Sequence, residues 1–280
     1  MTGLAPPRLE KLRRPAHAAA AALAAGHGAP GVYVSNALLD DEDGGGELHG
    51  LVDAEGALRA VAWFGIRGNL VALGDASDAT EVWAAGLMQV TSPWRIALAP
   101  ETLIAALAKR DPRPPIVRRT QVHYGCKRGE LAEPGSSAAR VRLAVRADVD
   151  ALCEAALDLN ESDLHVPRER VHRAWLEKSV RRRMREGRTY VLGPIGRPNC
   201  KLDVGSRGRA GAVLEGVFTL PSERRKGLAT ALVLGVAELL LRDLDLVCLH
   251  VDAANAAARA AYERAGMRSA GECGLLLREG

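Results

Sequence analysis

Between residues 217 and 230 the chain holds a compact set of groups suited to an anion. The run Val217-Phe218-Thr219 reads as a strand. A polar loop ending in Arg224-Arg225-Lys226-Gly227 follows, and a long apolar helix opens with Leu228-Ala229-Thr230. A helix start leaves the N–H groups of its first turn without intrahelical partners and carries the positive end of the backbone dipole. Such an end is a ready anion site, and Gly227 lets the backbone come close to a phosphate. Three successive cations add charge at the same place. The same three would also suit a solvated turn beside an ordinary helix start.

Groups able to move protons stand on either side. Glu215 interrupts the apolar run from Ala212 to Thr219, where a carboxylate needs a reason to be. His250 lies in the strand-like run Leu246 to Val251 and has the side chain best suited to exchange a proton near neutrality. Asn255 is a good N-cap for the helix that follows. Tyr262, one to two turns into that helix, reads by itself as an aromatic of the core.

The elements that must position these groups read clearly in the C-terminal half. Expected are a strand at 141–145, helices at 148–160 and 168–187, strands at 189–193, 201–205 and 211–220, a helix at 227–242, a strand at 246–251, a helix at 255–265 and a last strand at 271–277. The first half reads as a helix over 7–25, a strand over 32–39, an acidic glycine-rich loop over 40–47 and a hairpin of strands 58–66 and 69–73. Helices at 79–89 and 100–110 follow, with a strand at 94–99 between them. Polar and small residues at 125–139, with Glu133-Pro134-Gly135-Ser136-Ser137 at their centre, read as a linker. Two domains follow from this pattern, 1–135 and 140–280, as the length of 280 residues also suggests.

Arg224-x-x-Gly227-x-Ala229 resembles the Arg/Gln-x-x-Gly-x-Gly/Ala loop of the GNAT N-acetyltransferase superfamily, whose backbone amides hold the pyrophosphate of coenzyme A. The segment from Leu249 through Asn255, Ala258, Tyr262 and Gly266 to Met267 is similar to that family's second signature. The resemblance covers about the last 140 residues. It implies an α/β fold of the α+β kind, with a splayed, mixed and mostly antiparallel central sheet flanked by helices. The first half is similar to the divergent N-terminal copies of two-domain bacterial GNAT proteins, with Pro93-Trp94-Arg95-Ile96 and Val117 to Gln121 as its weak signature. Such a copy would shape the acceptor site or a dimer contact and bind no second cofactor.

By the same resemblance the activity is transfer of an acetyl group from acetyl-CoA to a primary amine. Val217, Phe218 and Thr219 would meet the pantetheine arm as an added strand does. Arg224, Arg225, Lys226, Gly227, Leu228, Ala229 and Thr230 would hold the pyrophosphate, and Asn255 would add a contact. Tyr262 would protonate the departing thiolate. Glu215 or His250 would take the proton of the amine; His250 departs from the glutamate that several relatives carry at its position. Asn160 to Asp163 stand where GNAT proteins commonly contact the acceptor, and a plain polar loop is the competing reading. The acceptor would be a small molecule, an amino acid, a protein N-terminus or a lysine. A non-catalytic acyl-CoA sensor is the alternative from another class.

Composition agrees with a globular chain, 48% hydrophobic and 26% charged. The net charge of +4 is uneven, since 24 of the 38 basic and 19 of the 34 acidic residues lie from Arg140 onward. A basic C-terminal half suits a polyanionic ligand without choosing among them. Five scattered cysteines show no metal-ligand spacing and read as reduced thiols, so no metal and a cytoplasmic location are expected. Arg8, Lys11, Arg13 and Arg14 before an Ala-rich stretch superficially suggest a signal peptide, but the stretch is nearly all alanine and reads as an ordinary helix. No apolar run is long enough for a membrane span. Gly26-x-Gly28-x-x-Gly31 follows a helix and precedes a strand, the reverse of a dinucleotide fingerprint. The run Arg181-Arg182-Arg183 with Arg185 reads as a solvated helix face, and nucleic acid is disfavoured as a partner.

Overall fold

The computed structural model describes residues 6–39, 46–131 and 141–279. The chain divides into two compact units, one of Met1–His123, Gly208–Ala210 and Ala270–Gly280, the other of Tyr124–Arg207 and Gly211–Ser269. The linker read at 133–137 and most of the acidic loop, residues 40–45, lie outside the described residues.

In chain order the first unit contains β1 (Arg8–Lys11), α1 (His17–Ala24), α2 (Gly28–Leu39), β2 (Gly46–Val52), β3 (Leu58–Gly65), β4 (Asn69–Gly74), α3 (Thr80–Gln89), β5 (Ile96–Ala99), α4 (Glu101–Arg110) and the first seven residues of β6 (Val117–Lys127). Strands β1 to β4 pair antiparallel in sequence order, and β4 pairs parallel with β5. The expected hairpin at 58–73 is β3 and β4, turned at Arg67-Gly68. Its core joins Trp83, Leu87, Trp94, Leu103, Ile104 and Leu107 to the inner face of the sheet.

Two expectations for this unit fail, each where packing outweighs local preference. The helix expected over 7–25 begins only at His17, because Arg8 to Lys11 pair with Val52 to His49 and Pro15 sits in a separate short turn. The strand expected over 32–39 is helix α2, despite its β-branched residues. A Cβ on Gly31 would fall 2.2 Å from the carbonyl oxygen of Ala24, so glycine is what lets α2 lie so close to the end of α1. The glycines at 26, 28 and 31 therefore serve a helix-to-helix turn, with no strand before it.

The second unit contains β7 (Arg142–Leu143), α5 (Val149–Leu164), α6 (Arg173–Arg185), β8 (Thr189–Leu192), β9 (Cys200–Gly208), β10 (Gly211–Thr219), α7 (Leu228–Leu240), β11 (Leu246–Asp252), α8 (Ala256–Arg264) and the start of β12 (Arg268–Leu277). Strands β7, β8 and β9 pair antiparallel, and β10 pairs parallel with β11. Asn160 to Asp163 are the last full turn of α5 and no loop; the chain leaves the helix at His165, which is left-handed with φ 52°. Helix α6 starts later than expected, after a short turn at Arg168–Arg170. Within the arginine run, Arg181 pairs with Glu177 at 2.7 Å and Arg183 turns inward to Asp203 at 3.2 Å, so that face is only in part solvated.

Both halves of the sequence thus run β-α-α-β-β-β-α-β-α-β. The last strand of the chain belongs largely to the first unit, where Gly274 to Leu277 pair antiparallel with Ala99 to Ile96.

Candidate active site

Strands β10 and β11 pair only through Ala212, Val213 and Leu214, opposite Val247, Cys248 and Leu249. Beyond Leu214 the two strands part. Glu215 and His250 are the first residues past the last pair, and Gly216 follows with φ +56°. That conformation costs other residues energy, and an isolated glycine inside a strand marks a bulge. A Cβ on Gly216 would lie 2.9 Å from Lys201 Nζ and 3.4 Å from Asp203 Oδ2, so glycine also makes room for a buried ion pair. Val217 to Thr219 therefore lie on β10 past the end of its ladder with β11.

Glu215 is half-buried. Its carboxylate lies over Gly205, where a Cβ would fall 2.1 Å from the Glu215 Cδ. Behind it, Lys201 and Asp203 are both buried and bonded at 2.7 Å, and Asp203 also accepts from Thr189 at 2.7 Å and from Arg183. Burial raises the Asp203 carboxyl, but the adjoining Lys201 and Arg183 charges and the hydrogen bonds prevail and hold it below the ordinary range.

The loop after β10 has an unusual backbone. Arg225 has φ 62° and Gly227 φ 75°, and the space beside the Gly227 Cα is open. The first helical bond of α7 runs from Ala231 N to Gly227 O, so the N–H groups of Leu228, Ala229 and Thr230 precede the ladder. Arg224, Arg225 and Lys226 are exposed. Arg224 donates to Thr219 O and stands 6.0 Å from the Phe218 ring, and Lys226 pairs with Glu223 at 3.1 Å. The Thr230 hydroxyl donates to Ala261 O at 3.1 Å, which ties α7 to α8 and leaves its N–H as the group available to an anion. Asn255 caps α8 by accepting from Ala258 N at 3.1 Å.

Tyr262 is 6% exposed, and burial pushes its phenol well above the ordinary tyrosine range, with Asp163 and Cys200 adding to the effect. Cys200 in turn meets the Thr219 hydroxyl at 3.2 Å. Glu215, His250, the 224–230 loop, Asn255 and Tyr262 all belong to the second unit. Sequence reasoning missed the supporting glycines and the buried ion pair. Gly216 directly after Glu215 inside a strand was the one available signal.

Residues 189–267 match the profile of the Acetyltransferase (GNAT) family. The chain carries a GNAT domain. Strands β8 to β11 and helices α7 and α8 lie within that segment. The chain is similar in fold to a GCN5-related N-acetyltransferase from Sphaerobacter thermophilus, at 17% identity and a TM-score of 0.60, over 97% of this chain and 96% of that one. A GNAT-family acetyltransferase from Colwellia psychrerythraea aligns at 11% identity and 0.56, over 98% and 100%. A tandem GNAT protein from the clavulanic acid biosynthesis pathway aligns at 14% and 0.52, over 96% and 97%. No curated protein matches the sequence. The GNAT fold therefore extends over nearly the whole chain, in keeping with the repeated element order. Acyl transfer from an acyl-CoA is the chemistry general to the GNAT family. Among the described residues no cluster of His, Cys, Asp and Glu could hold a metal ion, and no helix is long and apolar enough to cross a membrane.

Proposed function

We propose that the protein is an N-acetyltransferase that moves the acetyl group of acetyl-CoA to a primary amine, within the second unit. The observation that carries this reading is the parting of β10 from β11 directly before a cationic helix start. The open space at Gly227, the three N–H groups before the α7 ladder and the exposed cations Arg224, Arg225 and Lys226 fit a pyrophosphate. Val217, Phe218 and Thr219 would take the pantetheine arm along the freed strand edge, and Asn255 would add a contact while capping α8.

The neutral amine attacks the thioester carbonyl carbon; a C–N bond forms, the C–S bond breaks and the sulfur leaves with the electron pair. Backbone N–H groups at 217–219 stabilise the developing oxyanion. Tyr262 gives its proton to the thiolate. Its burial keeps the phenol protonated through the neutral range, so the proton is present when charge develops on sulfur. Glu215 is the stronger candidate for the base, because Gly205 clears room for its carboxylate at the point where the strands part; His250 is the other. Carboxyl groups at the corresponding junction of the first unit oppose a second cofactor site. There Asp75 accepts from Ser77, and Asp78 pairs with Arg59 before α3. The five unpaired thiols suit a reducing compartment such as the cytoplasm.

Calorimetric titration with acetyl-CoA tests the reading. Wild type is expected to bind in the micromolar range. Gly227→Glu is expected to abolish binding, since it puts a carboxylate at the anion site, while the left-handed backbone costs about 1 kcal/mol of stability. Wild type that binds no acetyl-CoA would overturn the proposal.

A further inference from the structure

Tyr124 lies near the end of β6, well before the family segment begins at residue 189. Its side chain is 0% exposed. The hydroxyl donates to Glu263 Oε1 at 2.7 Å and accepts from Arg259 Nε at 3.2 Å, and Arg259 donates onward to Ala253 O at 3.1 Å in the loop before α8. The ring meets Tyr262 edge to face, with centroids 6.1 Å apart and planes at 66°. Arg259, Glu263 and Tyr262 of α8 thus meet a single side chain from another strand, and Arg259 extends the tie to the loop at Ala253.

Helix α8 needs such an anchor. It has nine residues, most of its packing side chains are alanines, and Ala261 and Tyr262 are its only buried residues. Alanine offers few atoms for dispersion contact, so packing alone holds the rotation of this helix weakly. A rotation of α8 about its axis would displace the Tyr262 hydroxyl, and acyl transfer is sensitive to displacements of about 1 Å. Directional bonds to residues one turn apart on α8 resist that rotation, and the edge-to-face contact fixes the ring itself.

We propose that Tyr124 is a positioning residue of the acyl-transfer site: it anchors α8 and sets the ring of Tyr262, so that a strand encoded in the first half of the chain completes the site of the second unit. This rests on Tyr262 as the proton donor. The segment 189–267 alone lacks this anchor, which Tyr124 of the second unit supplies.

The test uses the full chain isotopically labelled at tyrosine Cζ, which gives four signals because the chain has 4 tyrosines. They are assigned by single Tyr→Phe substitutions, and spectra are taken free and saturated with acetyl-CoA. Tyr124→Phe keeps the ring and removes the bonds to Glu263 and Arg259. It is expected to move the Tyr262 signal, whereas Tyr33→Phe and Tyr190→Phe leave it in place. Glu263→Gln, which weakens the same bond and leaves Tyr124 intact, should move it in the same direction by less. Hydrolysis of acetyl-CoA, followed as free thiol, should fall about tenfold in kcat for Tyr124→Phe with KM within about twofold, and the loss should vanish in a Tyr262→Phe background. A Tyr262 signal unmoved in Tyr124→Phe and in Glu263→Gln overturns the proposal, as does an equal loss of rate in both backgrounds. Wild-type thiol release by Tyr262→Phe would instead overturn the proton-donor reading, while a moved Tyr262 signal would still uphold the contact.

Discussion

The environment of Tyr262 sets how it can act. A phenol held above its ordinary range by burial stays protonated at neutral pH, so it can donate but cannot serve as base. Tyr262→Phe is therefore expected to lower kcat for acetyl transfer by about 100-fold with little change in KM for acetyl-CoA. Steady-state kinetics on an amine substrate would check this. A rise in KM with unchanged kcat would mean that the residue binds and does not donate. Glu215 and Tyr262 stand out in the sequence as candidates because each is chemically out of place or sits in a recognisable spacing. Gly205 and Tyr124 were not. A glycine that makes room and a buried phenol acquire meaning only from the atom opposite, and nothing in the chain near residue 124 announces Glu263.

At the scale of elements, Asp148 binds three segments together. It is 0% exposed, meets Arg142 at 2.7 and 3.0 Å, and accepts from Val145 N and Gly196 N, so β7, the start of α5 and the loop after β8 share one carboxylate. Burial raises its pKa, but the Arg142 bond and the two backbone N–H groups prevail and hold it below the ordinary range. A folded-state pKa below the unfolded value contributes stability that is complete above about pH 4 and is lost as pH falls through the folded pKa. Asp148→Ala is expected to cost about 3 kcal/mol at neutral pH, because it removes the carboxylate partner of Arg142, and the difference from wild type should shrink as pH falls below that point. Denaturant titrations across the acid range measure both. An equal deficit at every pH would show that lost packing, and not the charge, is responsible. The boundaries of α7 and α8 followed from their caps and apolar spacing, whereas α2 and the late start of α1 did not, since the neighbouring helix and strand decided them.

For the molecule as a whole, the last strand is the element whose loss should tell most. Within residues 270–279, Gly274 to Leu277 pair with β5, and Leu276 lies in the same core as Trp83 and Trp94. Deleting them is expected to unfold the first unit. Trp63, Trp83 and Trp94 are buried there and Trp175 is exposed, so tryptophan emission should move to the red. Emission unchanged from wild type would show that β5 tolerates an open edge. All five cysteines are unpaired and buried, and burial raises Cys126 and Cys273 to about 12 and Cys200 to about 11. A thiol reagent at pH 8 should therefore label native protein slowly and all five after denaturation. Rapid labelling of native protein would mean that a thiol opens to solvent.

The sequence by itself determined the loop and helix start at 224–230, the cap at Asn255, the order of elements in the second half and the family they point to. Each of these depends on neighbours within about one turn or one strand, where side-chain type sets backbone geometry directly. Only the tertiary structure decided which strands part, which carboxylate has room, where the last strand belongs and what holds α8. Those outcomes depend on atoms far apart in the chain, such as Tyr124 and Glu263 or Ala99 and Gly274, which meet only when the sheet and its helices bury their apolar faces together.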